Sequence, residues 1–281
     1  MALHMPASSS VRDRFAELVG GSDETINLAE AALLIAAESY PGLDVSRYVT
    51  ALDALAAEAD PVLSGADTDP ERVRRLVQFL AVERSFRGNQ DDFYDRRNSF
   101  LNEVIERRKG IPITLAVVYM EVARRLGLVV LGVGFPGHFL AKYPGASELI
   151  IDPFFGQILS MRDCEQRLRA VLGAEATLEP GHLRAATPKE MLVRILRNLK
   201  QIYLQARELE SALACSQRIL LIEPDMAPEL RDRGLLYEQL ECYAAARPDL
   251  ERFLSLMPDD PSSEAVRERL IAISRQRTTL H

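Results

Sequence analysis

The chain has no tryptophan, and among its 281 residues only three are cysteine and four histidine. Cys164, Cys215 and Cys242 are too widely spaced for a disulfide framework or a thiolate cluster, so packing rather than cross-linking must hold the fold. One well-placed histidine with scattered carboxylates falls short of the three or four convergent ligands zinc needs, so no metal and no cofactor is assigned. No apolar run reaches the roughly 18–20 residues that span a bilayer. The opening "MALHMPASSSVRDRF" lacks the apolar core of a secretory signal, and His4 within it is given no role. The expectation is a cytoplasmic protein without a membrane anchor. Basic residues are outnumbered 34 to 41, a net charge of −7, which argues against the concentrated basic face of a nucleic-acid binder. Neither "GVGFPG" nor "FRGNQ" has the spacing of a phosphate-cradling glycine loop.

What is present is mostly helical. With 47% hydrophobic residues the chain can bury a substantial core. "TINLAEAALLIAAESY" is rich in Ala and Leu and stops at Pro41-Gly42. "SRYVTALDALAAEAD" places Tyr48, Leu52 and Leu55 on one face and is expected to end before Pro61. "ERVRRLVQFLAVERSF" is a third helix with an apolar stripe through Val73, Leu76, Val77 and Leu80. After the polar "RGNQDDFYDRRNS", the short helix "SFLNEVIERRKG" closes on Gly110. The apolar "TLAVVYMEVARRLG" then predicts a buried helix, capped by Thr114 and terminated by Gly127.

The period changes at "LVVLGVGF", "HFLAKY" and "ELIID", three short segments of strand character, the last two joined by "PGAS". His138 stands at the mouth of one and Asp152 at the end of another, 14 residues on. A carboxylate across a hairpin from an imidazole can fix the ring's tautomer and orientation. The bland alternatives are a buried structural histidine and a strand-end carboxylate bonded to its own turn.

From about residue 187 the chain is helical again and repeats itself. Tyr203 and Tyr237, Ala212 and Ala246, Leu220 and Leu254, and Pro224 and Pro258 are each 34 residues apart. This resembles the tetratricopeptide repeat, in which a small Ala lets paired antiparallel helices approach and Pro ends the pair. Gly234 fits the pattern. Arg233 stands where a large apolar residue is usual, and Pro248 falls inside a helix.

The strings "FRGNQDDFYDRRNSFLNEVIERRKGIPITLAVVYMEVARRLGL", "GVGFPGHFLAKY" and "IDPF", followed by the repeats, resemble the SirB family of bacterial transglutaminase-like proteins. The resemblance implies an α+β fold in three parts. Residues 1–85 would form a helical N-terminal part and 86–186 a transglutaminase-like (papain-like) core with a small antiparallel sheet. Residues 187–281 would be an all-α tetratricopeptide-repeat domain.

Active members of the wider superfamily use a Cys–His–Asp triad, with the Cys opening the buried helix. His138 and Asp152 match the last two positions, and the nucleophile position falls on Pro112 or on Thr114. Neither is a cysteine. The leading expectation is therefore a catalytically degenerate domain that binds a protein or peptide partner. The alternative is a cysteine-independent hydrolase or acyltransferase, in which Thr114 or a water is activated by His138. Asn98, Asn102 and Glu103 either line the same cleft or serve as cap and solvated charge. "ERRKG" offers either an anion patch or an ordinary basic helix end.

Overall fold

The computed structural model describes the backbone of residues 10–278 and the side chains of residues 10–274; the opening segment with His4 lies outside the described residues. The chain divides into two compact units between Ile195 and Leu196.

The first unit opens with four helices, α1 (Val11–Val19), α2 (Leu28–Ser39), α3 (Val45–Leu63) and α4 (Asp69–Gln78). Each starts where a side-chain oxygen accepts an otherwise unpaired N–H: Ser10 from Asp13, Asn27 from Glu30, Asp44 from Ser46 and Arg47, and Thr68 from Glu71. Helix α2 is apolar on nearly every side, and from Leu28 to Ala37 every residue but Glu30 is buried. Helix α3 does not stop before Pro61 but runs through it. The proline sits in the last turn, where its fixed φ is already helical and only one hydrogen bond is forfeited. Ala59 and Leu63, both buried, hold that turn to the core. The third predicted helix also departs from expectation: after Gln78 it widens into a π-helical turn, Phe79–Glu83, closed by Arg84 N–H on the Phe79 carbonyl at 2.9 Å. The wider turn sends Phe79 and Leu80 into the core and leaves Val82 exposed.

A two-residue parallel pair, β1 (Arg87–Gly88) with β2 (Lys109–Gly110), brackets α5 (Leu101–Arg107). Helix α5 ends not at Gly110 but at Arg108, which takes the left-handed conformation at φ 57°. Gly110 is needed for a different reason: a Cβ there would lie 2.9 Å from the Thr114 hydroxyl. The buried helix α6 (Pro112–Arg125) follows and ends at Gly127, whose φ of +72° suits glycine.

Helix α6 packs on α2, α3 and α5 and on an antiparallel sheet ordered β3-β4-β5-β6. Its strands are β3 (Leu131–Val133), β4 (Leu140–Tyr143), β5 (Leu149–Asp152) and β6 (Gln157–Leu159). The hairpin register pairs Tyr143 with Leu149 and Ala141 with Ile151. Strand β6 was not legible in "GQIL", which is too short to show a period. Val133, Phe135, Leu140, Ile150 and Leu159 form one core cluster with Cys164 and Leu168 of α7 (Met161–Leu172). The architecture is α+β, as the sequence implies.

Helix α8 (Pro188–Gln205) runs through the division between the units. The second unit continues with α9 (Leu209–Ile222), α10 (Ala227–Gln239), α11 (Tyr243–Leu256) and α12 (Ser263–Thr278). Gly234 of α10 faces Leu250 of α11, and an added Cβ would come within 2.6 Å of that side chain. Arg233 replaces the usual apolar contact with a two-pronged ion pair to Asp249, both bonds at 2.6 Å. Lys200, nearly buried, reaches Glu229 at 2.7 Å and Asp232 at 3.0 Å, tying α8 to α10. Among the described residues no helix is long and apolar enough to cross a membrane.

Candidate functional site

His138 follows the tight turn Phe135-Pro136-Gly137, in which the His138 N–H donates to the Phe135 carbonyl at 3.1 Å. Gly137 sits at φ +68°, and a Cβ there would lie 2.7 Å from Val171, so glycine is required on both counts. Asp152 ends β5 and is fully buried. Its Oδ1 accepts the backbone N–H groups of Phe154 at 3.0 Å and Phe155 at 3.3 Å. That turn fixes the carboxylate before any partner arrives.

The His138 ring meets it there, with Nε2 3.1 Å from Asp152 Oδ1. Because a carboxylate oxygen can only accept, Nε2 carries the proton in this pair. Phe155 stacks on the imidazole at 6.4 Å between ring centres, and Phe154 meets it edge to face at 6.0 Å. The ring side chain keeps 18% exposure, so the site is open at that point.

Arg167 of α7 completes the cluster. Its guanidinium forms an ion pair with Asp152 Oδ2 at 2.5 Å. It also lies over the Phe155 ring at 5.3 Å. Burial alone would raise the Asp152 pKa and is the largest single influence. The hydrogen bond and charge of His138, the charge of Arg167 and the Phe155 amide together outweigh it, so the carboxyl stays below its ordinary value. On the far side of the turn, Arg194 of α8 donates to the His138 carbonyl at 2.8 Å and lies over Phe139. Burial pushes its pKa down.

Neither arginine was singled out from the sequence. Arg167 lies in "MRDCEQRLRA", where it reads as one charge on an amphipathic helix, and nothing local marks it as Asp152's partner.

The other expected residues are engaged elsewhere. Pro112 is the first residue of α6, with Ile111 at the cap position, so Thr114 stands in the third turn position and not at the cap. Its hydroxyl accepts from the Ile111 N–H at 3.2 Å and directs its one proton toward the carbonyls of Asn98 at 2.7 Å and Ile111 at 3.1 Å. Asn98 is consumed by the 89–98 loop: Nδ2 donates to the carbonyls of Asp92 and Phe93, and Oδ1 accepts from Asn89 at 3.0 Å. Asn102 is buried beside the Tyr48 hydroxyl of α3, which donates to Glu106 at 2.7 Å, and the Asn102 Oδ1 has no hydrogen-bond partner. Glu103 is half-buried, in the field of Arg97. The "ERRKG" patch is largely neutralised, Arg107 by Asp95 at 3.1 Å and Lys109 by Asp91 at 3.4 Å. The imidazole's hydrogen bond thus goes to Asp152, while those of Thr114 and Asn98 run into the scaffold.

No thiol takes the missing place among the described residues. Cys164 is buried in α7 and burial pushes its pKa up. Cys215, within the repeats, is pushed up to about 12, again by burial. No group of His, Cys, Asp and Glu among the described residues is arranged to hold a metal.

The transglutaminase-like superfamily model matches residues 46–197 and a tetratricopeptide-repeat model matches residues 199–271. The chain belongs to the transglutaminase-like superfamily. Within it, the chain is a member of the SirB family, which couples such a domain to tetratricopeptide repeats. It is 39% identical over 264 residues to a UPF0162 protein of Xylella fastidiosa, covering 92% of this chain and 94% of the relative. It is 38% identical to a UPF0162 protein of Pseudomonas aeruginosa, over 84% of this chain and 87% of that one. Protein SirB1 of Salmonella typhimurium is 28% identical over 82% of this chain and 86% of its own length. The superfamily match begins at residue 46, so it takes in helices α3 and α4 as well as the segment from Phe86 onward.

Proposed function

We propose that this transglutaminase-like protein is catalytically degenerate and works in the cytoplasm as a binding or scaffolding module. One observation carries the reading: the orienting pair is built, while the start of α6 offers no reactive group to it. His138 and Asp152 are joined at 3.1 Å and braced by Arg167. Pro112 has no nucleophile, and the proton of Thr114 is directed to backbone carbonyls. A nucleophile needs its proton aimed at a base, and this hydroxyl's is not. What remains is a half-open imidazole able to hold an amide-like group. The repeats supply the second half of the proposal, a helical surface for a protein partner.

A second reading is supported by the exposure of the ring. An imidazole reachable by water and oriented by a carboxylate can act as a general base for hydrolysis. The same experiment separates the two. The purified chain and a His138→Ala variant of equal thermal stability are assayed against a broad panel of amides and esters. The binding reading expects no turnover from either protein. Turnover by the parent that vanishes with His138→Ala would overturn it in favour of the hydrolase.

A further inference from the structure

Arg194 of α8 is a half-buried cation without a counter-charge. Its Nη2 donates to the His138 carbonyl at 2.8 Å, and the guanidinium lies over the Phe139 ring at 5.4 Å. Among the described residues no carboxylate pairs with it. The one placed by sequence to do so is Glu190, four residues earlier on the same helix, the order in which an acid best supports a following base. Both Glu190 oxygens are committed elsewhere, to Arg184 at 2.7 and 3.0 Å and to the Thr187 N–H at 2.9 Å. Burial is the one influence on the Arg194 pKa, and no acid offsets it. A charge drawn partly out of water without a partner is destabilising, and a neutral carbonyl compensates only in part.

The guanidinium is also reachable. Gly134, in the stretch "GVGFPG", is exposed, and a Cβ added there would stand 3.9 Å from Arg194 Nη1, an ordinary contact. Gly134 does not take a positive φ. Unlike Gly137, it is therefore required by neither its backbone conformation nor its packing. What the missing side chain leaves is an open approach to Nη1. The donor is held in place as well: the His138 carbonyl and the Phe139 ring fix the plane of the guanidinium, and the His138 N–H bond to Phe135 fixes the turn. Donors held rigidly lose little freedom when a ligand arrives, which raises affinity.

We propose that Arg194, approached over Gly134, is a binding site for the carboxylate of a small organic acid, separate from the bond between the imidazole and Asp152. Charge and shape select the occupant. The guanidinium's planar fork matches the two oxygens of a carboxylate. One guanidinium balances the single negative charge of that group, whereas a phosphate monoester carries about two near neutral pH. An uncharged amide of the same shape could accept the hydrogen bonds but would leave the cation unbalanced. The inference goes beyond the binding reading of the His138–Asp152 pair and stands whether or not that pair supports turnover.

The test uses the full chain, labelled with 15N, and follows the amide signals of Gly134 and Gly137 and the Nε–H signal of Arg194. Sodium benzoate, its neutral isostere benzamide and inorganic phosphate are titrated in turn at constant ionic strength. Benzoate is expected to move these signals along a saturable curve, with affinity at least tenfold above that of benzamide or phosphate. Arg194→Gln, which keeps a donor for the His138 carbonyl, should weaken benzoate at least tenfold. Gly134→Val covers Nη1 and leaves the arginine in place, and it should weaken benzoate at least fivefold. Each variant is checked for an unchanged unfolding midpoint, and the valine variant decides the matter if the glutamine one is unstable. No saturable shift, an equal response to benzamide, tighter binding of phosphate, or indifference to Gly134→Val would overturn the proposal. Turnover in the amide and ester panel would sink the degenerate reading and leave this result untouched, so the two failures are distinguishable.

Discussion

The strand side and the helix side of the candidate site treat buried polar groups in opposite ways. On the strand side Asp152 is fully buried, yet its oxygens face other functional groups: the His138 ring, the Arg167 guanidinium and two backbone amides. On the helix side Thr114 is equally buried, but its hydroxyl is bonded to the backbone of Ile111 and Asn98. One side directs polarity toward a cleft; the other uses it to fasten a helix start to a loop. A shared superfamily fold therefore does not require a shared use of each position.

The sharpest way to break this contrast is to remove the carboxylate. Asp152→Ala leaves Arg167 and the amides of Phe154 and Phe155 facing a void, and it should destabilise the first unit by about 3 kcal/mol. Urea unfolding measures it; a loss below about 1 kcal/mol would mean the strand-side cluster is loosely held. Thr114→Val comes next. It keeps the shape but removes the hydroxyl, leaving the Ile111 N–H and the Asn98 carbonyl only their own bond at 3.3 Å, an expected loss of about 1.5 kcal/mol. Thr114→Ser should recover most of it, because the hydroxyl rather than the methyl does the fastening.

Acid sharpens the comparison further. The folded Asp152 pKa lies below its ordinary value, so its contribution is complete above the unfolded-state value near 4 and is lost as pH falls through the folded one. Asp152→Asn should therefore flatten the acid limb of a stability profile, the part lost as pH falls below the unfolded-state value near 4. An unchanged limb would show that other carboxylates govern it. The smallest effect is expected at Tyr119 of α6, whose buried hydroxyl has no hydrogen-bond partner. Burial chiefly, and the charge of Asp152 next, push its pKa up. Tyr119→Phe should change stability by less than about 0.5 kcal/mol, or improve it. A loss above about 1 kcal/mol would place that hydroxyl among the bonded groups of the strand side.

Much of this was legible in the chain. Composition and apolar periods located helices α2 to α6 but not α1, Gly127 marked the end of α6, and the 34-residue spacing marked the repeats. The His138 and Asp152 positions were read from their places at strand ends together with the family resemblance. What stayed hidden depends on contacts distant in sequence. Arg167 reaches Asp152 from a helix 15 residues on, and Asn98 looks like a cleft residue until its bonds to the loop are seen. The π-helical turn was equally out of reach, since it follows from placing Phe79 and Leu80 in a core that the sequence does not display. Pro61 misled because a proline's position within the turn, not its presence, decides whether a helix continues.

The separation of the two sides is tested most directly by a double-mutant cycle. Urea unfolding of the parent, Thr114→Val, His138→Ala and the double variant measures whether the hydroxyl and the imidazole interact at all. Groups without shared partners should add, leaving an interaction energy below about 0.5 kcal/mol. A coupling above about 1 kcal/mol would mean the helix-start hydroxyl belongs to the His138 site, and the contrast between the two sides would fall.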